Sequence, residues 1–316
     1  MKILVTGAAG FIGVHLCEEL LSQEGYEVLG VDTFIGPTPK NMKLTNLQKL
    51  TNHPRFTFKE INLMNADLEG LMKGIDVIYH LAGMPGVRSS WGNDFDEYVT
   101  NNILLTQRLL ESVKGFPIKK FIYASTSSIY GEKSGMVKES DYPLPLSPYG
   151  ITKLSGEHLC NVYQHSYQVP IVTVRFFTVY GPGQRPDMAF HRFIKQILSD
   201  EPLTIFGDGT QSRDFTYVKD CVEGISKIVS NKQAIGKCFN IGGKERASVN
   251  EVVEIIENLT GKKAKLTYLP KVTGEPMHTW ADISQAQSIL GYDPKITLRE
   301  GIAKEIEYIS EIYGLK

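Results

Sequence analysis

Short apolar runs alternate with longer helical patterns through the first half of the chain. The runs are rich in β-branched residues and nearly continuous in their hydrophobic positions, which is typical of strands covered on both faces. Six such runs span 2–6, 27–32, 55–61, 76–81, 119–125 and 171–176. Strands that alternate with helices as long as 95–114 and 149–167 indicate βαβ units. The pattern therefore predicts an α/β fold with a doubly wound parallel sheet.

The pattern loosens after about residue 176. Glycine and proline concentrate at 181–186 and 206–209, and helical patterns return at 191–198, 219–230, 249–260 and 298–313. The sequence shows neither an internal repeat nor a low-complexity linker. We expect a large lobe and a smaller mixed α/β substrate-binding lobe that interleave along the chain. Their predicted ranges are 1–176 with about 218–241, and about 177–217 with 242–316.

Composition narrows the class of protein. Of the 316 residues, 42% are hydrophobic and 22% are charged, which is ordinary for a globular protein. A net charge of −1 provides no broad basic surface, which argues against nucleic acid as a partner. No apolar run approaches the roughly 20 residues that span a bilayer, so we expect no membrane association. The chain enters a strand almost at once, which leaves no room for a signal peptide and favours a cytoplasmic location.

The cysteines and histidines lack metal-ligand spacing. Cys17, Cys160, Cys221 and Cys238 are far apart in sequence and form no CxxC pair. We interpret them as buried small hydrophobic residues. The seven histidines show no HxxxH or mixed His/Cys spacing, so no metal site is assigned.

The first predicted strand leads into a glycine-rich turn and an amphipathic helix. Gly7, Gly10 and Gly13 in this turn let the backbone approach a pyrophosphate at the helix N-terminus. Asp32 ends the second strand, where a carboxylate binds the adenosine ribose hydroxyls and repels a 2′-phosphate. These features together predict a Rossmann-type domain that binds NAD rather than NADP.

Two polar motifs lie in the middle of the chain. Tyr149 and Lys153 form a Tyr-x-x-x-Lys motif near a helix start, which places both side chains on one helix face. Alone, so short a motif carries little weight. The context strengthens it, since the polar segment STSS at 125–128 follows a buried strand, where a parallel sheet presents its ligand-binding edge.

These segments together resemble the extended short-chain dehydrogenases/reductases, in the branch of nucleotide-sugar epimerases and dehydratases. They run in family order and cover nearly the whole chain. The matching segments are TGAAGFIG at 6–13, VIYHLAG at 77–83, YASTSSIYG at 123–131, YGITK at 149–153 and GDGTQSRDFTYVKD at 207–220.

The resemblance implies roles for the polar motifs. Tyr149 would take the proton of a sugar hydroxyl while the C4 hydride passes to NAD. Lys153 would bind the nicotinamide ribose and lower the tyrosine pKa from its reference of about 10. The positive nicotinamide ring would act in the same direction. Thr126 would hydrogen-bond the same sugar oxygen and share its proton.

The resemblance also implies the binding residues. Arg213 would clamp the nucleotide diphosphate, a task that suits arginine. Thr204 and Phe206 would frame the uracil, and Arg192 would lie near the same pocket or remain a solvated surface charge. Asn102 would support the catalytic end of the sheet. Further cofactor contacts would come from Phe11, Ile12, Asn62, Leu63, Leu81 and Ala82.

A 4-keto sugar can be epimerised, dehydrated or decarboxylated, so the residues after Thr126 matter. A 4,6-dehydratase is expected to carry an Asp-Glu pair there, whereas this chain has Ser127 and Ser128. UDP-glucuronate decarboxylases usually carry glutamate at the second position. Both comparisons favour epimerisation.

Other segments point to a uronate substrate. Thr178 stands where many UDP-hexose epimerases carry asparagine, and RPDMA at 185–189 and GMPGVRSS at 83–90 resemble segments of UDP-glucuronate 4-epimerases. Ser127, Ser128 and Thr178 could surround the C6 carboxylate with neutral hydroxyls. We hypothesise that holding the carboxylate polar and in the sugar plane disfavours loss of CO₂ from the 4-keto intermediate. Arg88 and Arg185 are candidates for either the sugar end or the diphosphate.

Three positions depart from the common family pattern. Asn62 replaces an aspartate that contacts adenine and can still accept a hydrogen bond. Val272 replaces a second diphosphate-binding arginine, which leaves Lys271 or Arg88 as substitutes. Glu275 replaces an aspartate and could still reach a nucleotide ribose.

Several alternatives stay open from the sequence. The leading one is a UDP-glucose/UDP-galactose 4-epimerase, followed by a UDP-glucuronate decarboxylase and by a non-catalytic NAD- or nucleotide-sugar-binding regulator. The resemblance also implies a homodimer paired through 95–114 and 149–167 as a four-helix bundle. Ile103, Leu104 and Leu110 fit such an interface, although they fit core packing equally well.

Overall fold

A computed structural model describes residues 1–315. Its centre is a seven-stranded parallel sheet in the order β10-β6-β5-β4-β1-β2-β3. The order reverses between β1 and β4, where doubly wound sheets bind ligands. The predicted fold class is confirmed. These strands are β1 (Lys2–Thr6), β2 (Glu27–Asp32), β3 (Phe56–Glu60), β4 (Val77–His80), β5 (Lys120–Thr126), β6 (Ile171–Phe176) and β10 (Cys238–Ile241).

Helices cover both faces of this sheet, which explains its continuous apolar strands. One apolar core packs β1 and β6 against the helices of one face, and a second packs β4 and β5 against the other. The first face carries α1 (Phe11–Ser22), α2 (Lys40–Thr51), α8 (Val218–Ser226) and α10 (Ser284–Leu290). The opposite face carries α3 (Leu68–Met72), α5 (Leu105–Val113) and α6 (Pro148–Tyr167).

The predicted helix over 95–114 is less regular than expected. It consists of α4 (Phe95–Tyr98), a π-helical segment (Val99–Leu104) and α5. The helical periodicity of the sequence does not reveal a π turn, because such a turn shifts the spacing of apolar residues by one position over a short segment only. Such turns frequently occur at functional sites, and this one contains the buried Asn102.

Two small sheets lie outside the large parallel sheet. One has the order β11-β9-β7 and the other pairs β12 with β8 in parallel. The apolar core beside them is rich in aromatic residues, with Tyr180, Phe190 and Phe215 in mutual ring contact. The strands are β7 (Thr178–Tyr180), β8 (Pro202–Phe206), β9 (Ser212–Tyr217), β11 (Glu245–Ser248) and β12 (Lys265–Leu269). The helices are α7 (Ala189–Leu198), α9 (Val249–Thr260) and α11 (Leu298–Tyr313).

The chain crosses between the two parts more than once. After β9, α8 packs on α1, and β10 then pairs with β6 at the edge of the large sheet. The sequence then returns to the smaller sheets through β11. The segment 218–241 therefore lies against the large sheet.

The four cysteines are free thiols. Cys17, Cys160 and Cys221 are buried, and Cys238 is partly exposed. Burial raises the pKa of each thiol. Between residues 1 and 315, no helix has the length and apolarity needed to cross a membrane. The same residues contain no cluster of His, Cys, Asp or Glu side chains able to hold a metal ion.

Candidate functional site

The glycine-rich turn between β1 and α1 is closely packed against its neighbours. Gly7 has a φ of +72°, and a Cβ there would lie 2.8 Å from the amide nitrogen of Ala82. A Cβ on Gly13 would lie 2.1 Å from the carbonyl oxygen of Gly7. Gly10 begins α1 and donates its N–H to the Gly7 carbonyl at 3.0 Å. The turn thus needs glycine, and Phe11 and Ile12 follow it in the first turn of α1.

Asp32 is fixed at the end of β2. It is 8% exposed and accepts hydrogen bonds from the amides of Ala9 (3.1 Å) and Phe34 (2.7 Å). Lys43 on α2, also buried, lies 3.5 Å from the Asp32 carboxylate and donates to the Ile35 carbonyl at 2.8 Å. The carboxylate is therefore partly balanced by a cation. The sequence pattern missed Lys43 because α2 has no apolar periodicity that would have placed it.

The end of β4 completes this part of the site. His80 is buried and lies between the hydroxyls of Thr6 (2.9 Å) and Thr106 (3.0 Å). Burial lowers the pKa of His80 to about 3, so the ring is neutral. Thr6 in turn accepts the amide of Ala82 at 3.1 Å and, through its carbonyl, that of Leu81 at 3.2 Å. The backbone of 81–82 is thereby held beside the glycine-rich turn.

Two other predicted cofactor residues follow β3. Leu63 is buried in the core beneath the site, whereas Asn62 is exposed. The Asn62 side chain accepts the amide of Met64 at 3.0 Å and so closes a local turn.

Tyr149 and Thr126 meet where β5 and α6 face each other. Ser147 caps α6 by accepting the amide of Gly150 at 3.1 Å, and Pro148 occupies the first helical position, as is common at helix starts. A Cβ on Gly150 would lie 2.7 Å from the Ser128 carbonyl oxygen, so the helix start lies directly against the segment after β5. This close packing brings Tyr149 near Thr126, whose hydroxyl acts to lower the pKa of Tyr149.

In the protein without bound ligands, the surroundings of Tyr149 favour its neutral phenol. Tyr149 is partly exposed, and its ring lies edge-on to Tyr98 with centroids 6.2 Å apart. Burial raises its pKa, while the Thr126 hydrogen bond and the charge of Arg185 oppose that rise. Arg185 is therefore near the reacting end of the site, where it is held by Asp187 through contacts of 2.9 and 3.1 Å.

Lys153 lies one turn further along α6. It is 6% exposed, and its Nζ lies 4.5 Å from the centroid of the Tyr123 ring. Burial lowers the pKa of Lys153 to about 8, against opposing effects of Cys160 and Glu157. Asn102 lies alongside and ties the π-helical segment to its surroundings, bonding both polar groups of the Met84 backbone and the Thr152 hydroxyl. The supporting role of Asn102 at the catalytic end of the sheet stays a prediction.

The hydroxyl-bearing residues gather at the same sheet edge. Thr126 donates to the Ser128 hydroxyl at 3.3 Å and accepts the Ser128 amide at 3.2 Å. Ser127 and Ser128 form the short helical turn that follows β5, and both are partly exposed. Thr126 is paired with Phe176 at the end of β6, and Thr178 follows two residues later. Ser127, Ser128 and Thr178 thus follow the carboxyl ends of the neighbouring strands β5 and β6.

The far end of the cleft contains a cavity of about 260 Å³. Arg88 donates to one carboxylate oxygen of Glu275 at 2.7 Å, and Arg213 lies 3.4 Å from the other. The Arg88 guanidinium stacks 4.5 Å from the Phe206 ring centroid. Arg213 also donates to the Met277 carbonyl at 3.1 Å. The cavity is lined by Arg88, Phe206, Gly207, Asp208, Gln211, Arg213, Lys271, Val272, Glu275, Pro276 and Met277.

Two of the residues predicted at the uracil or near its pocket lie outside that lining. Thr204 is in the middle of β8, opposite Thr267 of β12. Arg192 is on α7, where burial and the charge of Arg88 lower its pKa. Arg88 lines the cavity, whereas the charge of Arg185 acts on Tyr149.

The sequence profile of the NAD dependent epimerase/dehydratase family matches residues 3–242. The chain belongs to this family. The family profile ends at β10, the last strand of the large parallel sheet.

Relatives match over almost the full chain. An uncharacterized UDP-glucose epimerase YtcB of Bacillus subtilis is 59% identical, with 99% of each chain covered. A UDP-glucuronate 4-epimerase of Thermodesulfobacterium geofontis is 43% identical over 98% of this chain and 96% of its own. The crystal structure of UDP-glucuronic acid 4-epimerase from Bacillus cereus, in complex with UDP-glucuronic acid and NAD, superposes with a TM-score of 0.98. That structure is 57% identical and covers 99% of this chain and 100% of its own.

One charged pair in this member of the NAD dependent epimerase/dehydratase family was not found from the sequence. Glu157 on α6 and Arg175 on β6 are both buried and bonded to each other at 2.8 Å. The only sequence signal is that Glu157 lies four residues after Lys153, on the same helix face.

Proposed function

We propose that the protein catalyses NAD-dependent C4 epimerisation of UDP-glucuronic acid to UDP-galacturonic acid through a 4-keto intermediate. The observation that carries this proposal is the arrangement of Tyr149 beside Thr126, followed at the end of β5 by Ser127 and Ser128. The site has a proton acceptor for the sugar, and neutral hydroxyls stand at the two positions after Thr126. The UDP-glucuronate 4-epimerases among the relatives support this substrate.

The residues at the cofactor end fit NAD. The close packing at Gly7 and Gly13 supports a backbone approach to the pyrophosphate, and Asp32 would bind the adenosine ribose. Bound there, NAD supplies an acceptor and donor for the C4 hydride. Phe11, Ile12 and the 81–82 backbone would add further contacts to NAD, and Lys153 would bind the nicotinamide ribose.

Tyr149 holds and moves the proton of the 4-hydroxyl. Its phenolate is the active form. Because burial raises the pKa of Tyr149 in the protein without ligands, a bound positive charge must favour the phenolate. Lys153 contributes charge from the same helix face, and Thr126 keeps a hydrogen bond on the shared oxygen. A general base of this kind contributes about 10²–10⁴-fold in rate.

The sugar carboxylate is bound by hydroxyl donors. Ser127, Ser128 and Thr178 lie at one sheet edge and carry no charge, so they hold a carboxylate without neutralising it. Arg185 is close to Tyr149, but its charge is balanced by Asp187 at 2.9 Å. A carboxylate that keeps its charge and lies in the sugar plane is poorly aligned to lose CO₂ from a 4-keto acid.

Epimerisation requires the keto sugar to turn over while the nucleotide remains bound. Arg213 and Arg88 line the cavity at the opposite end of the cleft and suit a diphosphate. Small groups at Gly83, Ser127 and Thr178 leave room for the sugar to rotate. The anchor and the rotating part are thus at separate ends of the site.

A second candidate function is UDP-glucose/UDP-galactose 4-epimerisation. The specific observation in its favour is the 59% identity to the uncharacterized UDP-glucose epimerase of Bacillus subtilis. It would use the same proton transfer at Tyr149 with a neutral C6 group.

Product analysis by NMR separates these functions. The purified protein is incubated with UDP-glucuronic acid without added reductant, and separately with UDP-glucose. We expect UDP-galacturonic acid without any UDP-pentose. Conversion of UDP-glucose alone would overturn the uronate assignment, and UDP-pentose formation would show that the hydroxyl-lined site does not prevent decarboxylation.

We also propose a homodimer formed by a four-helix bundle. Leu104, Ile151 and Val162 are apolar and 47–55% exposed on the π-helical segment and α6, and Ile103 is partly exposed beside them. Leu110 is fully buried and belongs to the core of its own chain. Sedimentation as a monomer at micromolar concentration would contradict the dimer.

We propose the cytosol as the location of the protein, because its four free thiols are consistent with a reducing compartment.

A further inference from the structure

A buried ion pair lies one helical turn beyond Lys153. Glu157 on α6 is 6% exposed and Arg175 on β6 is 7% exposed. Arg175 donates from Nε to Oε1 of Glu157 at 3.0 Å and from Nη2 to Oε2 at 2.8 Å. This two-pronged geometry is the strongest that arginine makes with a carboxylate. The mechanism above uses neither residue, although two charges are costly to bury.

The carboxylate of Glu157 also connects α6 to the catalytic strand. Ser125 donates its hydroxyl to Oε1 of Glu157. Ser125 immediately precedes Thr126 at the end of β5. On the far side of the pair, Arg175 donates to the Tyr130 hydroxyl at 2.7 Å. The position of Glu157 is therefore fixed from two directions.

Lys153 has no direct counterion in the part of the chain that the structure describes. Its ammonium contacts the ring of Tyr123, and among residues 1–315 it forms no ion pair within 4.0 Å. Glu157 lies four residues later on the same helix face, and its charge favours the protonated lysine. The other titratable groups near Lys153 are Tyr149 and Cys160 on α6, His80 on β4 and Tyr123 on β5, with Arg175 of β6 behind Glu157.

Apart from the cationic Arg175, these other neighbours are uncharged near neutral pH. Burial lowers the pKa of His80 to about 3 and raises the pKa of Cys160, Tyr123 and Tyr149. Burial also lowers the pKa of Lys153 to about 8, with Cys160 and Glu157 opposing the shift. Since Cys160 is a neutral thiol, Glu157 is the neighbour that brings a negative charge.

We propose that Glu157 is a positioning residue whose carboxylate supplies the negative charge that accompanies the buried ammonium of Lys153. Arg175 and Ser125 hold that carboxylate in place. Through Ser125, Glu157 also fixes the strand end that presents Thr126. The inference rests on the proposed function, in which Lys153 and Thr126 act at the nicotinamide ribose and the sugar oxygen.

The two members of the pair then have opposite effects on Lys153. Replacing Glu157 with glutamine leaves the positive charge of Arg175 unbalanced, which disfavours a second cation nearby. Replacing Arg175 with methionine leaves the Glu157 charge unshared, which favours the ammonium. A role confined to packing has no such dependence on sign.

The experiment is the pH profile of kcat at saturating UDP-glucuronic acid with NAD bound. The wild-type profile should fall on its alkaline side near pH 8, as Lys153 loses its proton. We expect this midpoint to move down by about one to two pH units in Glu157→Gln and to move up in Arg175→Met. The KM for the nucleotide-sugar and the bound NAD should stay within about twofold of the wild type, because neither residue touches a ligand.

Matched variants separate charge from structure. Tyr130→Phe removes a hydrogen bond of Arg175 without changing any charge, and Glu157→Asp keeps the carboxylate; both should retain a midpoint close to the wild type. The double variant Glu157→Gln/Arg175→Met buries no unpaired charge and should have a midpoint between those of Glu157→Gln and the wild type. If either single variant fails to fold, the double variant decides the question.

Midpoints that coincide with the wild type in Glu157→Gln or in the double variant would overturn the proposal, as would shifts of the same sign in both single variants. Failure of the proposed function gives a different result. In that case the wild type forms no UDP-galacturonic acid, or Tyr149→Phe retains full turnover, whatever the pH profile of the Glu157 variants.

Discussion

The two ends of the cleft are built in different ways. At the proposed cofactor end, closely packed backbone and buried side chains define the site: Gly7 and Gly13 lie against neighbouring backbone, and His80 joins two threonine hydroxyls as an uncharged ring. At the nucleotide end, charged side chains face one another across a cavity, with Glu275 between Arg88 and Arg213.

This difference reflects what each end has to do. A cofactor that is regenerated in every cycle can remain bound, so a rigid site costs nothing in turnover. A substrate must enter and leave, and charged groups that pair with each other in its absence can exchange those partners for a diphosphate. We therefore expect substitutions at the cofactor end to affect folding and NAD content, and those at the nucleotide end to affect mainly KM.

The largest expected effect lies between the two ends. Tyr149→Phe removes the proton acceptor and should lower kcat by about 10²–10⁴-fold. Both ends should keep their ligands, so NAD content and UDP-glucuronic acid affinity, measured by calorimetry, should change little. Tyr167→Phe alters an exposed tyrosine at the end of the same helix and should keep wild-type kcat. Loss of NAD from the Tyr149 variant would show that the tyrosine also has a structural role.

At the cofactor end, a substitution of Gly13 should disrupt the site most. In Gly13→Ala the new methyl group would lie 2.1 Å from the Gly7 carbonyl oxygen, so the turn must move. Overpacking of this kind costs about 1–3 kcal/mol in the free energy of unfolding, and we expect the purified variant to lose its NAD. Chemical denaturation and absorbance of the released nucleotide measure both. Gly115→Ala places a methyl group in open space and should change neither.

The nucleotide end should respond differently to loss of charge. Arg213→Met removes a guanidinium from the cavity lining, and hydrogen bonds to charged groups contribute about 1.5–3 kcal/mol, so KM should rise by roughly 10- to 150-fold. NAD content should remain at the wild-type level. Arg299→Met, at an exposed position on α11, is the control. Unchanged steady-state KM would place the diphosphate elsewhere.

The smallest effect is expected at Glu275. Glutamine can still hydrogen-bond a ribose but no longer competes for the two arginines. Partly exposed ion pairs contribute about 0.2–1 kcal/mol, so KM should fall by less than about fivefold in Glu275→Gln. The exposed Glu254→Gln on α9 should have no effect. A rise in KM would mean that the negative charge itself binds the nucleotide.

The sequence predicted the large sheet well and the smaller sheets poorly. Strands β1, β2 and β6 have the predicted bounds because buried parallel strands are continuous apolar runs. By contrast, every residue of β12 is exposed, and β7 has three residues, so neither leaves a periodic signal. Their positions depend on pairing with β8 and β9, which are distant in sequence.

Residues of the candidate site could be predicted where a sequence motif contains them. They could not be predicted where only the fold brings them together. Tyr149, Lys153 and Thr126 lie in short motifs whose order along the chain is informative. Lys43 and Arg175 become visible only when the fold brings them to Asp32 and Glu157. The sequence also left the roles of Arg88 and Arg185 undivided, because neither lies in a long helix or strand whose periodicity would place it.

The raised pKa of all four thiols has a practical consequence for observing the cleft at work. Since burial suppresses thiolate formation at Cys17, Cys160, Cys221 and Cys238, dyes that react with thiolates should leave the native chain unlabelled. Cysteines introduced at exposed positions, such as Lys59 on β3 and Glu254 on α9, would then be the reactive pair. Single-molecule energy transfer between two such dyes could follow in real time how the nucleotide end responds while the cofactor end stays still.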